Sequence, residues 1–316
     1  MISPLSREGV VELAVLERSG MIESRHLGAA CVVDGSGAVI RSLGDIDALV
    51  YGRSTLKFVQ AIALLECGVD LDGEQLVLAA ASHTGTARHV AVVESILARA
   101  GLDADALQCP VDWPADPAAR RASLERSRLT MNCSGKHAAF LLACVTNGWS
   151  TMDYLDPEHP LQSHIRATLE RFTGEPTTQV GVDGCGAPVF AVSLRGLATA
   201  VSRVSGATEG PAARLSQAIR SHAWALDSPA VESVIDGLGV IAKNGAEGVF
   251  VAGTPDGTAV ALKMLDGSMR ASITVGLALL ASVNAVDTPA AHRIAQSVTE
   301  PVLGGGLVVG AIRATV

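Results

Sequence analysis

Aromatic rings are scarce in this sequence. Phe, Trp and Tyr make up 3% of its 316 residues, although 48% of the chain is hydrophobic. The core must therefore be filled by small aliphatic side chains, which suits close helix packing. Basic blocks are also missing. The formal net charge is -8, and the nearest approach to a basic run is the pair Arg120-Arg121. That excludes a nucleic-acid partner, which needs a concentrated positive patch. No long apolar run is present. The longest uncharged stretch, 271 to 286, lies between Arg270 and Asp287 and contains Ser272, Thr274, Ser282 and Asn284. It is shorter than the roughly 20 apolar residues of a membrane span, so no membrane partner is expected and the stretch reads as a buried core helix. Arg7, Glu12, Glu17 and Arg18 leave no room for a signal-peptide apolar region, which points to a soluble, cytoplasmic protein. The six cysteines (31, 67, 109, 133, 144 and 185) are scattered without a secretory signal, so reduced thiols are expected rather than a disulfide framework.

What is there is a chain that changes character along its length. Residues 26 to 41 alternate around "DGSG", a hairpin signal. Residues 54 to 66, "STLKFVQAIALLE", have helical spacing with Ser54 as N-cap and Gly68 as stop. "SHTG" at 82 to 85 is a loop after an apolar helix, and an amphipathic helix follows it to about Gly101. "DWPADP" at 112 to 117 is irregular; further helices are predicted over 134 to 147 and from about 158 to 172. "VGVDGCGAP" at 180 to 188 reads as a strand end, a Gly-rich loop and then a helix to about Val204. Helices over 209 to 226 and 229 to 237 precede "KNGAEG", which reads as a turn between strand-like segments. A hairpin around "TPDG", a buried helix at 268 to 286, a helix near 289 to 299 and a final strand, "GLVVGAIRA", complete the chain. Strands at both ends and helices between them imply an α+β fold with an antiparallel sheet drawn from both chain ends. The expectation is a single catalytic domain over 1–316, its sheet from about 10–50 and 240–316 and its helical part from about 54–237.

Five short stretches could carry chemistry. In "RSTLK", Ser54 and Lys57 lie one helical turn apart; a serine needs a base beside it, and a lysine serves if burial or nearby positive charge depresses its pKa. Taken alone, the same residues are also an N-cap and a surface lysine. In "KNGAEG", Lys243 offers a second cation beside glycines that let a ligand approach the backbone; Lys263 on the next hairpin arm is its rival, though alternation turns it towards solvent. In "SHTG", the Ser82 hydroxyl could bind substrate or act as a second nucleophile, beside His83. "MNCSGKH" places Cys133 and Lys136 three apart, with Cys185 in "DGCG" as a possible partner. Two thiolates with one or two further ligands make a soft site that suits zinc, but a buried cysteine is mostly an ordinary small hydrophobe, and spacing alone favours that reading. His137 and Asp183 could orient such ligands by hydrogen bonds.

Taken in order, "RSTLK", "SHTG", "MNCSGKH", "DGCG" and "KNGAEG" resemble the motifs of the Rhizobium-type, or class 3, bacterial L-asparaginases of the asparaginase II family. The resemblance runs from about residue 10 to the C-terminus. It implies a fold similar to serine β-lactamases and glutaminases, a cytoplasmic homodimer, and hydrolysis of L-asparagine to L-aspartate and ammonia by serine–lysine catalysis. Residue by residue, it implies Ser54 and Lys57 as a catalytic serine and its lysine, Ser82 as the second active-site serine, and Lys243 as the second lysine. It further implies Cys133, Lys136 and Cys185 as zinc ligands, with the metal positional rather than catalytic. Which serine is acylated stays open, as do a glutaminase, a penicillin-recognising hydrolase and a non-catalytic amino-acid-binding protein. Two positions depart from the family pattern: Phe58 stands where it has proline, and Thr86 where it tends to have glutamate, which bears on substrate preference and proton handling.

Overall fold

The structure is a computed structural model that describes residues 3–316. In chain order its elements are β1 (Val11–Arg18), β2 (Met21–Val33), β3 (Val39–Leu43), β4 (Leu49–Tyr51), α1 (Lys57–Glu66), α2 (Gly73–Ala79), α3 (Ala87–Arg99), α4 (Pro117–Ala122), α5 (Ser134–Asn147) and α6 (Pro160–Thr173). There follow β5 (Val180–Val182), β6 (Pro188–Ser193), α7 (Leu194–Ser205), α8 (Gly210–Ser221), α9 (Pro229–Leu238), β7 (Ile241–Gly245), β8 (Val249–Gly253), β9 (Ala259–Met264), α10 (Ser272–Ser282), α11 (Thr288–Val298), β10 (Val302–Gly304) and β11 (Leu307–Ala314). The fold is α+β, and its main sheet is antiparallel and drawn from both chain ends, as the sequence implied. The chain divides into two compact units: one holds the residues up to Thr55, Val192–Ala207 and Ser233–Val316, the other Leu56–Ala191 and Thr208–Glu232.

The first unit is built on an eight-stranded sheet in the order β10-β11-β1-β2-β9-β8-β7, with β3 paired to β2. Its hairpins close where glycine permits. Asp34 accepts from the backbone of Ser36 and Ala38, and Gly37 takes φ +86° between β2 and β3. Gly257 takes φ +87° between β8 and β9. The two turns meet so closely that a Cβ on Gly35 would lie 2.3 Å from the Asp256 carbonyl oxygen. Helices cover both faces. On β8, Phe250 and Gly253 point to opposite sides. A Cβ on Gly276 of α10 would meet the Phe250 ring, and one on Gly253 would meet Ser205 and Val201 of α7. The uncharged run at 271 to 286 thus becomes α10, a core helix with Leu277, Leu279 and Leu280 fully buried.

The second unit is helical. α5 packs against α1, α2, α3 and α6, and both α1 and α5 are buried nearly all round, as helices apolar on every side must be. Gly148 ends α5 and Gly174 ends α6, at φ +66° and +77°.

Three sequence expectations need correction. α1 begins at Lys57, not at a Ser54 cap, because Arg53–Leu56 wind as a tighter 3-10 turn in front of it. "PVFAVS" is strand β6, not the start of a helix; all six residues are buried, and an unbroken apolar run carries no period to separate strand from helix. "KNG" lies inside strand β7, not in a turn.

Candidate active site

The segment between α2 and α3 carries Ser82 and is held by its backbone. Ser82 N–H donates to the Leu226 carbonyl (2.8 Å), His83 N–H to that of Asn132 (3.0 Å), and Asp116 N–H to that of Thr84 (2.9 Å). Gly85 sits at φ +74°, and a Cβ there would fall 2.7 Å from the Thr130 carbonyl oxygen. Lys57, the first residue of α1, is 1% exposed. Its Nζ lies 2.6 Å from the Ala81 carbonyl oxygen, 3.0 Å from Ser82 Oγ and 3.1 Å from Cys133 Sγ. Burying a cation is costly unless it is partnered, and these three contacts partner it.

Cys133 caps α5, and one turn on Lys136 reaches Cys185 Sγ at 3.1 Å. Cys185 rides on the tip of the β5–β6 hairpin, where Asp183 and Ala187 pair and Gly186 takes φ +88°. Both sulfurs and the Lys136 amine are buried. A hydrogen bond between the two cysteines, together with burial, pushes the Cys133 thiol well above its usual value. The same hydrogen bond, with Lys136 beside it, holds the Cys185 thiol well below. Burial alone would favour a neutral Lys136, but the two cysteines outweigh it and raise its pKa. His137 is fully buried, which lowers its pKa, and its Nδ1 lies 2.8 Å from the Tyr154 hydroxyl. A hydrogen bond to Cys185 opposes that lowering.

The helical unit therefore gathers Lys57, Ser82, Cys133, Lys136 and Cys185 into one linked cluster. The other predicted residues belong to the sheet unit. Ser54 lies half-buried in the 3-10 turn, and Lys243 is wholly buried on β7 opposite Val251. Lys263 on β9 is half-buried, with its Nζ 2.7 Å from the Met264 carbonyl oxygen, and burial lowers its pKa. Thr86, where the family tends to have glutamate, caps α3: its hydroxyl oxygen accepts from the His89 N–H. Sequence reasoning missed Tyr154, for which a lone tyrosine gave no signal, and the carbonyls of Ala81 and Leu226, which any residue supplies.

Among the described residues no group of three or more His, Cys, Asp and Glu gathers as a metal site. The donors that do gather are the Cys133 and Cys185 sulfurs and the Lys136 amine, with His137 buried beside Cys185; two soft sulfurs and an amine nitrogen that has given up its proton fit zinc. A cavity of about 690 Å³ between α10, α11 and β11 contains none of the predicted site residues. No helix of the described residues is long and apolar enough to cross a membrane.

The chain belongs to the L-asparaginase II family, which it matches over residues 14–314. It is an asparaginase-type amidohydrolase. No curated protein matches it. Among solved structures it is similar to a β-lactamase from Mycobacterium bovis (14% identity, 81% of this chain and 94% of that one, TM-score 0.42). It is also similar to a candidate β-lactamase from Bacteroides dorei (16% identity, 85% and 93%, TM-score 0.43).

Proposed function

We propose that the protein hydrolyses the side-chain amide of L-asparagine to L-aspartate and ammonia, with Ser82 as nucleophile and Lys57 as its base. One observation carries the assignment of roles: Lys57 Nζ lies 3.0 Å from Ser82 Oγ, within reach for proton transfer. With one proton removed, the amine still donates to Ala81 and Cys133 and has its lone pair for the serine proton. Ser82 then attacks the amide carbon, Lys57 returns the proton to the leaving ammonia, and water hydrolyses the acyl-serine. The N–H groups of Ser82 and His83 are already committed to Leu226 and Asn132, so the oxyanion takes other donors. Lys243 as the second lysine and Ser54 as the other active-site serine are proposed on the motif resemblance alone.

The test is ammonia release from L-asparagine and L-glutamine by purified protein. Release from asparagine is expected, with loss in Ser82→Ala and a fall of about 10²–10⁴-fold in Lys57→Ala. Wild-type rates in Ser82→Ala would sink the assigned mechanism. Faster release from glutamine would make the protein a glutaminase, and acylation by a penicillin would make it a penicillin-recognising hydrolase. Thermal stabilisation by asparagine without ammonia would make it a binding protein.

Zinc is proposed at Cys133, Lys136 and Cys185, supported by the two buried sulfurs and the amine that share one cluster. When bound it would release the Cys133 and Lys136 protons to solvent, keep both sulfurs as thiolates and tie α5 to the β5–β6 hairpin, a positional role. Metal analysis of untagged protein is expected to find about one zinc per chain, lost in Cys133→Ser. Metal-free wild type would return both cysteines to ordinary packing. The homodimer implied by the resemblance is proposed as well, and a molar mass measured in solution tests it.

A further inference from the structure

The residue after the proposed nucleophile is a histidine, and the obvious role for a histidine beside a serine is general base. The geometry points elsewhere. His83 is 1% exposed, and both ring nitrogens are engaged. Nδ1 receives the Gly85 N–H at 3.1 Å, so it must be an acceptor. Nε2 lies 2.8 Å from Ser134 Oγ, and that same Oγ lies 2.8 Å from the Leu129 carbonyl oxygen. A carbonyl can only accept, so the Ser134 proton goes to Leu129 and His83 Nε2 must be the donor. Both ends thus require the same neutral tautomer, with the proton on Nε2.

The ring is held in place by a second one. His89 stacks on His83 with centroids 5.1 Å apart and planes at 16°. His89 is fixed in the same tautomer: Nδ1 accepts from the Thr86 N–H (3.3 Å), and Nε2 lies 3.2 Å from the Trp224 carbonyl oxygen, to which it donates. Two stacked neutral imidazoles leave no lone pair for proton abstraction at Ser82.

What His83 does hold is the distance between two chain segments. Its N–H donates to Asn132 and its ring to Ser134. Those residues flank Cys133, whose sulfur is 3.1 Å from Lys57 Nζ. Ser82 is one residue from this stitch and Lys57 bridges it. We propose that His83 is a positioning residue: through Ser134 it fixes the Ser82 segment against the start of α5 and so sets Ser82 Oγ within reach of Lys57. This rests on the reading of Ser82 as the nucleophile.

The experiment compares wild type with His83→Asn, His83→Gln, Ser134→Ala and the double variant His83→Asn/Ser134→Ala. Asparagine can imitate only the Nδ1 acceptor, glutamine can imitate the Nε2 donor, and Ser134→Ala removes the partner atom alone. Two quantities are read on each: the rate at which a fluorophosphonate labels Ser82, mapped by peptide mass spectrometry, and kcat and KM for asparagine. His83→Asn and Ser134→Ala are each expected to slow labelling and kcat by about 10–100-fold with KM little changed, the size of effect that follows a small misplacement of a reacting group. The double variant is expected to be no slower than either single one, because all three remove the same link. His83→Gln is expected to recover much of the rate. Additive losses, unchanged labelling in variants that unfold at the wild-type temperature, or a wild-type Ser82 that takes no label would each overturn the proposal. If His83→Asn does not fold, Ser134→Ala and His83→Gln decide it. Labelling that follows the expected pattern without ammonia release would leave the positioning role standing and remove asparagine as the substrate.

Discussion

Thr86 and His89 show how a departure from the family pattern is absorbed by its surroundings. Thr86 caps α3 through the His89 N–H, and the His89 ring takes the Thr86 N–H in return, a capping box with histidine in the place of glutamate or glutamine. That ring pays a charge penalty for its position. Burial lowers the His89 pKa; Arg88 lowers it further, while the Trp224 carbonyl and Asp116 oppose. The sign of the consequence follows from linkage. In the unfolded chain the ring protonates near pH 6.5, and in the folded chain at lower pH, so the unfolded state binds the proton first. His89 therefore contributes its full stability above about pH 6.5 and loses it progressively as the pH falls from there towards the folded value. The melting temperature of wild type is expected to fall between about pH 7.5 and pH 5.5, and that of His89→Gln to fall less. The slope would be reduced rather than abolished, since the buried His137 acts with the same sign. An equal slope in both proteins would show that His89 titrates alike folded and unfolded.

At the scale of elements, the start of α5 decides where the cluster lies. Gly135 is the second residue of that helix, between Cys133 and Lys136. A Cβ there would stand 2.6 Å from the Leu78 carbonyl oxygen and 2.7 Å from Leu78 Cγ, both on α2, whose backbone cannot yield cheaply. Gly135→Ala is expected to destabilise by ~1–3 kcal/mol, as overpacking does, and to lower activity by moving Cys133 and Lys136 together. Denaturant unfolding and the ammonia rate check the two halves separately; an unchanged midpoint would mean that α5 has room to shift. Much of this level was legible beforehand. The helices expected over 134 to 147 and from about 158 to 172 are α5 and α6, and the structure ends them at Gly148 and Gly174 with Pro160 opening α6. β6 was not legible, because every position is buried and the pattern has no period. The true start of α1 was not legible either, because a serine three residues before a lysine-led apolar run looks the same whether it caps the helix or sits in a 3-10 turn.

Across the whole chain, residue types announced the chemistry but not the pairing. "RSTLK", "SHTG" and "CSGKH" each named a participant. That Lys57 meets Ser82 and Cys133 depends on contacts across 25 and 76 positions, and that Lys136 meets Cys185 on one across 49, which no local pattern encodes. The same burial that makes those contacts governs all six thiols. No disulfide forms among them, and five of the six are buried. Burial pushes Cys31 and Cys109 up to about 11 and Cys144 to about 12, which leaves almost no thiolate at neutral pH. Cys185 carries the charge but is 1% exposed, so a bulky reagent meets it only when the structure opens. Cys67 is the exception in access, half-exposed, although burial raises its pKa as well. Titration with an aromatic disulfide at about pH 8 is therefore expected to modify Cys67 first and slowly in native protein. The remaining five should react only on unfolding, and in step with the loss of helix signal. Fast reaction of Cys133 or Cys185 in protein that keeps its helix signal would show instead that the α5 start and the β5–β6 hairpin part from each other in the native state, and that Lys136 loses Cys185 when they do.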